Sequence, residues 1–345
     1  MKKILFLFLI VLFLSFPVKV GAASVVPTQK TVTTTAYYSP EKGQKEYFHG
    51  SYEQDFLVNG PGFQMASGAA PYEGAVAGPS TLAFGTLIYV DGFGWAVVED
   101  RGAAIVVQGE RNQANDRLDI WMGRGDFGRK KAVNWGRTSK QATIFSTRWL
   151  QVPSGKLTKE LDLNDSSQEV ILLQKVLWAL GFYDGAFSKA YDSKTQEAVL
   201  AFQKWKGIVV DSKQNGAGRV GPGTLKRLNN FLGVFQDLQF KKSQANKDYN
   251  PQAQARKMQA DFYTQDLSYG DMNYSVYMLQ NKLEKLGYFK HDRKTYTYGD
   301  VTKGAVLAYQ LEKGIVKSEK DKGAGVFGAT TRSKLKSDLE SLAMR

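Results

Sequence analysis

The C-terminal half of the chain repeats itself. Five short patterns in residues 173–218 return 106 or 107 positions later. They are Leu173-Gln174 and Leu279-Gln280, Gly181 and Gly287, residues 198–203 and 305–310 (Tyr309 replacing Phe202), 207–209 and 314–316, and 216–218 and 323–325. The extra residue falls between the first and second helices expected in each copy. Because self-similarity at a fixed spacing marks repeated structural units, the sequence predicts two copies of one small module.

Apolar residues at helical spacing predict three helices in the first copy. Ser166 and Glu169 have the spacing of a capping box at the start of the first helix, and Gly181 is placed to end that helix as a C-terminal cap. A second helix is predicted over residues 193–205, and a third helix follows Pro222. The first helix would bury Val170, Leu173, Val176, Leu177 and Leu180.

The order Leu-Gln, Leu-Gly-Phe/Tyr, Ala-Val-x-Ala-Phe/Tyr-Gln and Gly-Ile resembles the peptidoglycan-binding-like domain, a small all-α module of three helices. The resemblance implies one module at residues 166–232, a second at residues 271–345 and peptidoglycan glycan strands as the partner. Residues 151–165 are expected to be a linker. Residues 233–270 are expected to be a second linker with a helix over residues 251–263, which are rich in Ala, Gln and Lys.

Most apolar residues of the two modules are expected to form their cores, because their spacing is helical. A sugar-binding surface would instead use aromatic and polar groups near the loops. The candidates for such contacts are Tyr183, Tyr288, Asp184 and Arg219.

The N-terminal half has the patterns of short β-strands. Residues 31–38 are rich in Thr and Tyr and predict a first strand. Asp91-Gly92 lies between two apolar runs, residues 87–90 and 95–98, which predicts a β-hairpin. Residues 118–121 predict a further strand that carries an acid between large apolar residues. Residues 121–128 are expected to form a turn, and residues 131–135 and 142–145 are expected to form closing strands.

Two carboxylates stand out in these strands. Asp100 ends the run that begins at Trp95, and Asp119 interrupts another run. If neighbouring strands set them side by side, burial and like charge would raise one pKa and leave a proton donor beside an ionised partner. The alternative is that both aspartates cap turns or pair with Arg101 and Arg117, and spacing alone favours that alternative.

The ordered motifs of this half resemble the 3D domain, which is named for three aspartates and is shared by MltA-type lytic transglycosylases and stationary-phase muralytic enzymes. The motifs are Ala66-Ser67-Gly68, Gly85-Thr86-Leu87-Ile88-Tyr89-Val90, Gly92-Phe93-Gly94, Glu99-Asp100-Arg101-Gly102 and Arg117-Leu118-Asp119-Ile120. The resemblance covers residues 31–145 and implies an all-β double-psi β-barrel over residues 24–150. Where the family has its first aspartate, this chain has Gly78.

The resemblance also implies an activity. The protein would cleave the β-1,4 bond between N-acetylmuramic acid and N-acetylglucosamine as a lytic transglycosylase. Asp119 would be the catalytic acid and base, Asp100 would stay ionised, and Arg117 and Trp121 would contact the substrate. A hydrolase using the same two acids and a non-catalytic wall-binding or wall-loosening protein remain the alternatives, and Gly78 favours the non-catalytic one.

Composition restricts the remaining chemistry. The chain has no cysteine, which excludes disulfides and thiolate chemistry. It has two histidines, His49 and His291, which leaves few candidate residues for a Ser-His-Asp triad or a histidine-rich zinc site. We therefore expect no cofactor and no metal. Three Gly-x-Gly-x-x-Gly matches, at residues 123–128, 216–221 and 323–328, are not expected to lie in a βαβ unit, which a dinucleotide site requires.

The N-terminus and the charge distribution predict an extracytoplasmic protein. Lys2 and Lys3 precede an apolar run at residues 4–16, and small residues end at Ala23, so residues 1–23 predict a cleaved signal peptide. Of the net charge of +13, residues 24–154 carry +1 and residues 155–345 carry +9. This distribution suits an anionic wall better than nucleic acid. A secreted monomer without stable membrane insertion is expected.

Overall fold

The computed structural model describes residues 27–60, 62–102, 104–291 and 294–344. The predicted signal peptide lies outside these residues. Within them, six strands precede most of the helices: β1 (Thr28–Ser39), β2 (Ala75–Ala77), β3 (Leu87–Val90), β4 (Gly94–Asp100), β5 (Arg117–Arg124) and β6 (Thr138–Ile144). The helices are α1 (Tyr52–Asn59), α2 (Gly125–Trp135), α3 (Gln168–Ala179), α4 (Ser193–Trp205), α5 (Pro222–Tyr249), α6 (Pro251–Phe262), α7 (Tyr274–Lys285), α8 (Asp300–Glu312) and α9 (Ala329–Ala343).

The six strands form a closed barrel in the order β1-β5-β2-β4-β3-β6. The predicted hairpin is confirmed, because β3 and β4 pair antiparallel from Leu87 opposite Val97 to Val90 opposite Gly94. Successive side chains of a strand point to opposite faces, and in β5 Leu118, Ile120 and Met122 are buried in the barrel interior. The intervening residues of β5 therefore point away from that interior.

Residues 121–135 differ from the sequence prediction. Strand β5 continues through Trp121 to Arg124, and Gly125–Trp135 is a helix instead of a turn followed by a strand. The glycines explain the tight reversal, because a Cβ on Gly128 would lie 2.3 Å from the Gly123 carbonyl carbon. Only a side chain as small as glycine's lets α2 fold back onto the end of β5.

The first Gly-x-Gly-x-x-Gly match follows β5 and opens α2. The unit is nevertheless not a parallel βαβ unit, because β5 runs parallel to β1 while β6 runs antiparallel to it. The first turn of α2 also carries Asp126, whose carboxylate accepts the backbone N–H groups of Lys45 (2.9 Å) and Glu46 (3.0 Å). A carboxylate at this helix start disfavours a bound phosphate by charge repulsion.

The C-terminal half is helical, and its two modules repeat the same contacts. In the first module the Gln203 side chain donates to the Thr224 hydroxyl (2.9 Å) and accepts from the Gly218 N–H (2.8 Å). In the second, Gln310 donates to Thr331 (2.9 Å) and accepts from Gly325 (2.7 Å). The recurring glutamines thus hold the loop before the third helix of each module.

Several helix boundaries of the first module agree with the sequence prediction. Helices α4 and α5 begin at Ser193 and Pro222 as predicted, and Gly181 has the positive φ (+87°) of a C-terminal cap. The predicted capping box is absent, because Ser167 precedes α3 without a side-chain cap. The Glu169 carboxylate instead accepts the Thr158 N–H (2.7 Å), so it orders the preceding loop.

Helix α5 passes residue 232, where the sequence analysis placed the end of the first module. Its apolar residues recur at helical spacing on one face, and that face is buried against the barrel. The buried residues of α5 are Leu228, Phe231, Leu232, Phe235 and Leu238. They pack in the same cluster as the barrel residues Met65, Tyr72, Val97 and Trp149. The Lys242 ammonium lies 2.6 Å from the buried Glu99 carboxylate of β4. The barrel and the first module therefore share a hydrophobic core.

Helix α6 lies within the segment for which the sequence favoured a helix. In the described residues, no helix is both long and apolar enough to cross a membrane.

Candidate functional site

A β-bulge sets the direction of Asp100. Strand β2 pairs with β4 so that Val76 lies opposite Val98, but the next residue, Ala77, lies opposite Asp100. The extra residue in β4 is Glu99. Without the bulge, Asp100 would share the face of Val98, which is buried in the barrel interior. The bulge turns Asp100 to the opposite face.

Asp119 lies on the same face as Asp100. It is opposite Ala77 on the other side of β2, because β2 and β5 pair with Ala77 facing Asp119. The two aspartates therefore flank Ala77, on strands that β2 separates. Two strand spacings of about 4.8 Å put their Cα atoms roughly 10 Å apart. The small Ala77 side chain, which is itself buried, lies between them.

Asp119 is held by a hydroxyl relay. The Thr35 hydroxyl of β1 donates to Asp119 Oδ1 (2.8 Å) and accepts from Arg117 Nε (3.1 Å). Burial raises the pKa of Asp119, and the charge of Asp100 raises it further, whereas the Thr35 hydrogen bond and the Arg117 charge lower it. The net shift is upward, so Asp119 holds a proton to higher pH than an exposed aspartate does.

Asp100 accepts three hydrogen bonds. The donors are the Tyr37 hydroxyl to Oδ2 (2.9 Å) and the backbone N–H groups of Ala66 and Arg101 to Oδ1 (both 2.9 Å). Burial raises the pKa of Asp100 overall, and all three donors oppose that rise. Because donors stabilise the ionised carboxylate, the three hydrogen bonds offset part of the effect of burial on Asp100.

Tyr37 connects the two aspartates electrostatically. It lies two residues after Thr35 on the same face of β1, and its pKa is raised well above the usual range by burial, by Asp100 and by Asp119. The phenol therefore stays protonated and keeps donating to Asp100. Sequence reasoning did not select Tyr37 or Thr35. The available signal was their period-two spacing in the predicted first strand.

Gly78 does not face the aspartates. A Cβ at this position would lie 3.1 Å from Val98 Cγ1 and 3.6 Å from Leu118 Cδ2, both in the barrel interior. The backbone of Gly78 does reach the site, because its N–H donates to the Asp100 carbonyl (3.1 Å). A carboxylate at residue 78 would begin among apolar side chains, and the residue whose side chain lies between the two aspartates is Ala77.

The predicted substrate contacts on β5 point to the face of Asp119. Arg117 is half-buried and takes part in the relay through Thr35, and its Nη1 also donates to the Ala104 carbonyl (3.2 Å). Trp121 is half-buried, and its indole N–H donates to the Ser39 hydroxyl (2.9 Å). Trp121 also lines a cleft of about 540 Å³ with Phe93, Phe127 and Trp135.

The helical-module candidates lie apart from the aspartates. Tyr183 is 3% exposed, and its hydroxyl donates to the Ala186 carbonyl (2.8 Å), so its ring belongs to the core of the first module. A buried ring has no free face for a sugar. Tyr288 is half-buried and packs edge-on against Tyr309, with ring centroids 5.1 Å apart. Arg219 forms an ion pair with Glu160 (2.7 Å), and Asp184 is exposed.

His49 is bound to a neighbouring carboxylate. Its Nδ1 lies 2.7 Å from Oδ1 of the buried Asp55. Among the residues the structure describes, no group of three or more His, Cys, Asp or Glu side chains is arranged to hold a metal ion.

Part of the helical region matches a known protein family. Residues 166–228 match the family described as "Putative peptidoglycan binding domain". These residues comprise α3, α4 and the start of α5. No curated protein matches the chain. The protein is therefore a closed six-stranded barrel followed by a helical region, in which residues 166–228 match a putative peptidoglycan-binding domain that supports association with the cell wall.

Proposed function

We propose that the protein is a secreted enzyme that cleaves the β-1,4 bond between N-acetylmuramic acid and N-acetylglucosamine as a lytic transglycosylase, on a 3D-type double-psi barrel. The observation that carries this proposal is the geometry of Asp100 and Asp119. They face one side of the barrel across the small Ala77, and their surroundings favour the proton on Asp119 and the charge on Asp100. Two carboxylates with different environments are the basis of glycosidic bond cleavage.

In the proposed reaction, Asp119 protonates the glycosidic oxygen while the bond from that oxygen to C1 of the muramic residue breaks. Asp100 remains ionised and stabilises the positive charge that develops at C1. The Asp119 carboxylate then accepts the proton of the muramic C6 hydroxyl. At the same time the oxygen of that hydroxyl bonds to C1, which forms the 1,6-anhydro end. Asp119 returns to its protonated state.

Asp119→Asn tests this assignment, because an amide has the shape of the carboxylate but cannot transfer the proton. Purified peptidoglycan is incubated with the mature chain, and the products are read by mass spectrometry. We expect anhydro-muropeptides from the wild type and none from Asp119→Asn. Asp91→Asn, in the exposed turn between β3 and β4, is the matched control and should keep the wild-type rate.

The products also separate the rival activities. Reducing ends in place of anhydro ends would identify a hydrolase that uses the same two acids. Muropeptide release by Asp119→Asn at the wild-type rate would overturn the catalytic assignment.

A non-catalytic wall-binding or wall-loosening protein is the second candidate function. Gly78 in the position of the family's first aspartate favours it, since the barrel then lacks one of the three carboxylates. The wild type would bind insoluble peptidoglycan and release no fragments.

Secretion and monomeric state are part of the proposal. Cleavage after Ala23 would leave Ser24 as the first residue of the mature protein. N-terminal sequencing of exported material and its elution volume on size exclusion check both points. Exported protein that still begins at Met1 would contradict the cleavage.

A further inference from the structure

Three tyrosines of the second module form one aromatic surface. The rings of Tyr277 and Tyr296 are stacked, with centroids 5.1 Å apart and planes at 20°. Tyr274 lies 5.8 Å from Tyr277 at 27° and 6.2 Å from Tyr296 at 35°. All three are half-buried. The rings are therefore nearly parallel, and the described core of the module does not cover them.

This tyrosine surface meets the barrel at α1. Phe56 of α1 lies 6.2 Å from Tyr274 and 6.4 Å from Tyr296 in edge-on contacts. Helix α1 is itself anchored to β1, because Asp55 is fully buried and accepts the Tyr38 hydroxyl and the Phe48 N–H (2.7 Å). The anchor at Tyr38 is next to Tyr37, whose hydroxyl donates to Asp100.

The Tyr296 phenol interacts electrostatically with the Asp100 carboxylate. The pKa of Tyr296 is raised to about 12 by burial first, then by Tyr277 and Tyr274, and also by the charge of Asp100. Because charge interactions weaken with distance and are screened by solvent, Tyr296 is close enough to Asp100 for their charges to interact.

A cleft of about 290 Å³ continues from the tyrosines between α1, α6 and the start of α7. Tyr52, Phe56 and Tyr274 line it with rings, and Lys42, Gln265 and Asn273 add polar groups. Ligand sites are mostly concave and aromatic with a few polar groups, and this volume is at their lower end of roughly 300 Å³. The cleft therefore suits one sugar ring.

We infer that Tyr274, Tyr277 and Tyr296 form a saccharide-binding subsite beside Asp100, built by the second module for the glycan strand that the barrel acts on. β-1,4-linked N-acetylated amino sugars have equatorial substituents, so their C–H faces stack on aromatic rings, and their acetamido groups need polar partners such as those of the adjacent cleft. The glycan identity rests on the proposed function. The second module would then help to hold the strand across the catalytic face.

Tyr277 provides the test, because it contacts the other two tyrosines while Tyr274 and Tyr296 contact Phe56. The probe is the β-1,4-linked tetramer of N-acetylglucosamine, titrated by calorimetry into full mature chain carrying Asp119→Asn. We expect Tyr277→Ala to weaken binding about tenfold, as loss of a stacking face predicts. Tyr269→Ala, a 60% exposed tyrosine of the same region outside the cluster, is the control and should bind like its parent.

Tyr277→Leu protects the test against misfolding, because it keeps an apolar side chain and removes the aromatic face. Thermal unfolding verifies that each variant is folded, and Tyr296→Phe should retain affinity because it retains the ring. Equal affinity in Tyr277→Leu and the parent, or no binding of the tetramer to the parent, would overturn the subsite.

The outcomes separate the two proposals. Loss of tetramer binding in Tyr277→Leu with no peptidoglycan cleavage by the wild type would retain the subsite and refute the enzyme. Unchanged tetramer binding in Tyr277→Leu, with cleavage that depends on Asp119, would refute the subsite and retain the enzyme.

Discussion

Asp100 and Asp119 lie on the same face of the barrel, one on each side of Ala77, so their charges interact. The negative charge of Asp100 contributes to the raised pKa of Asp119. The Tyr37 hydroxyl and two backbone N–H groups hold that charge in place. The protonation state of Asp119 therefore depends on Asp100 as well as on burial.

Asp100→Asn should change both the rate and the pH profile of peptidoglycan cleavage. Removing the negative charge lowers the pKa of Asp119, so the acid loses its proton at a lower pH and the high-pH limb of the profile moves to lower pH. Loss of the charge that stabilises the transition state should also reduce the rate roughly 10²–10³-fold. A pH–rate profile on purified peptidoglycan measures both. An unmoved high-pH limb would contradict the coupling.

Gly78→Asp should lower stability without restoring a third catalytic carboxylate. The new side chain starts 3.1 Å from Val98 Cγ1 and faces the barrel interior, where a carboxylate has lost its water. We expect it to cost roughly 3 kcal/mol more than Gly78→Ala in the free energy of unfolding, because burying an unpaired charge is costly. Urea denaturation of the two variants makes the comparison. Equal stability together with faster cleavage would show that the carboxylate reaches the face of the aspartates.

At the level of helices and loops, the two modules depend on buried glutamines. Gln203 and Gln310 each bind a loop carbonyl, a loop N–H and a threonine of the third helix. Both side chains are 1% exposed. This shared network explains why the Phe/Tyr-Gln pattern recurs along the chain. Each glutamine is therefore buried within its own module's hydrogen-bond network.

Gln203→Ala and Gln310→Ala should destabilise their own modules by similar amounts. Each change leaves buried loop groups unpaired, at about 1–3 kcal/mol for each group, so we expect a loss of roughly 3 kcal/mol. Hydrogen exchange at Gly218 and Gly325, whose N–H groups donate to these glutamines, reports each module separately. Gln203→Ala should speed exchange at Gly218 and leave Gly325 unchanged. Faster exchange at both sites would show that the modules unfold together.

Across the whole molecule, helix α5 joins the barrel to the first module. Phe235 and Leu238 are buried in the shared core, and the Ala70 N–H of the barrel donates to the Asn246 side chain (2.8 Å). Glu99 is fully buried and depends on Lys242 of α5 and on the Tyr72 hydroxyl for its hydrogen bonds. The barrel that carries Asp100 and Asp119 and the module that matches a peptidoglycan-binding family are therefore held in a defined arrangement.

Truncation should expose this dependence. A fragment of residues 24–160 lacks α5 and would expose barrel residues that α5 covers, among them Trp95, which packs 5.5 Å from Phe231. We expect it to associate, whereas a fragment of residues 24–250 stays monomeric and melts in one transition. Calorimetry and size exclusion compare the two. A monomeric barrel fragment that melts at the temperature of the longer one would contradict a shared core.

Much of the fold could be predicted from local sequence. Helical spacing, Pro222 and Gly181 define the start or end of helices in the first module, and Asp91-Gly92 defines a hairpin, because these signals act within a few residues. The division into a strand-rich and a helical half, and the repeat at 106 or 107 residues, could also be recognised from the sequence. The same reasoning missed α2, since two close-packed glycines read as a turn until the contact between them is known.

Tertiary structure decided the site. Asp100 and Asp119 could be selected from the sequence, but their common face depends on a bulge at Glu99 and on β2, which lies between their strands. The direction of Gly78, the burial of Tyr183, the tyrosine surface beside Asp100 and the continuation of α5 onto the barrel also depend on distant partners. The periodicity of apolar side chains shows which residues become buried, but not which helix or strand packs against them. The sequence by itself therefore determined the modules, and only the tertiary structure determined how they pack together.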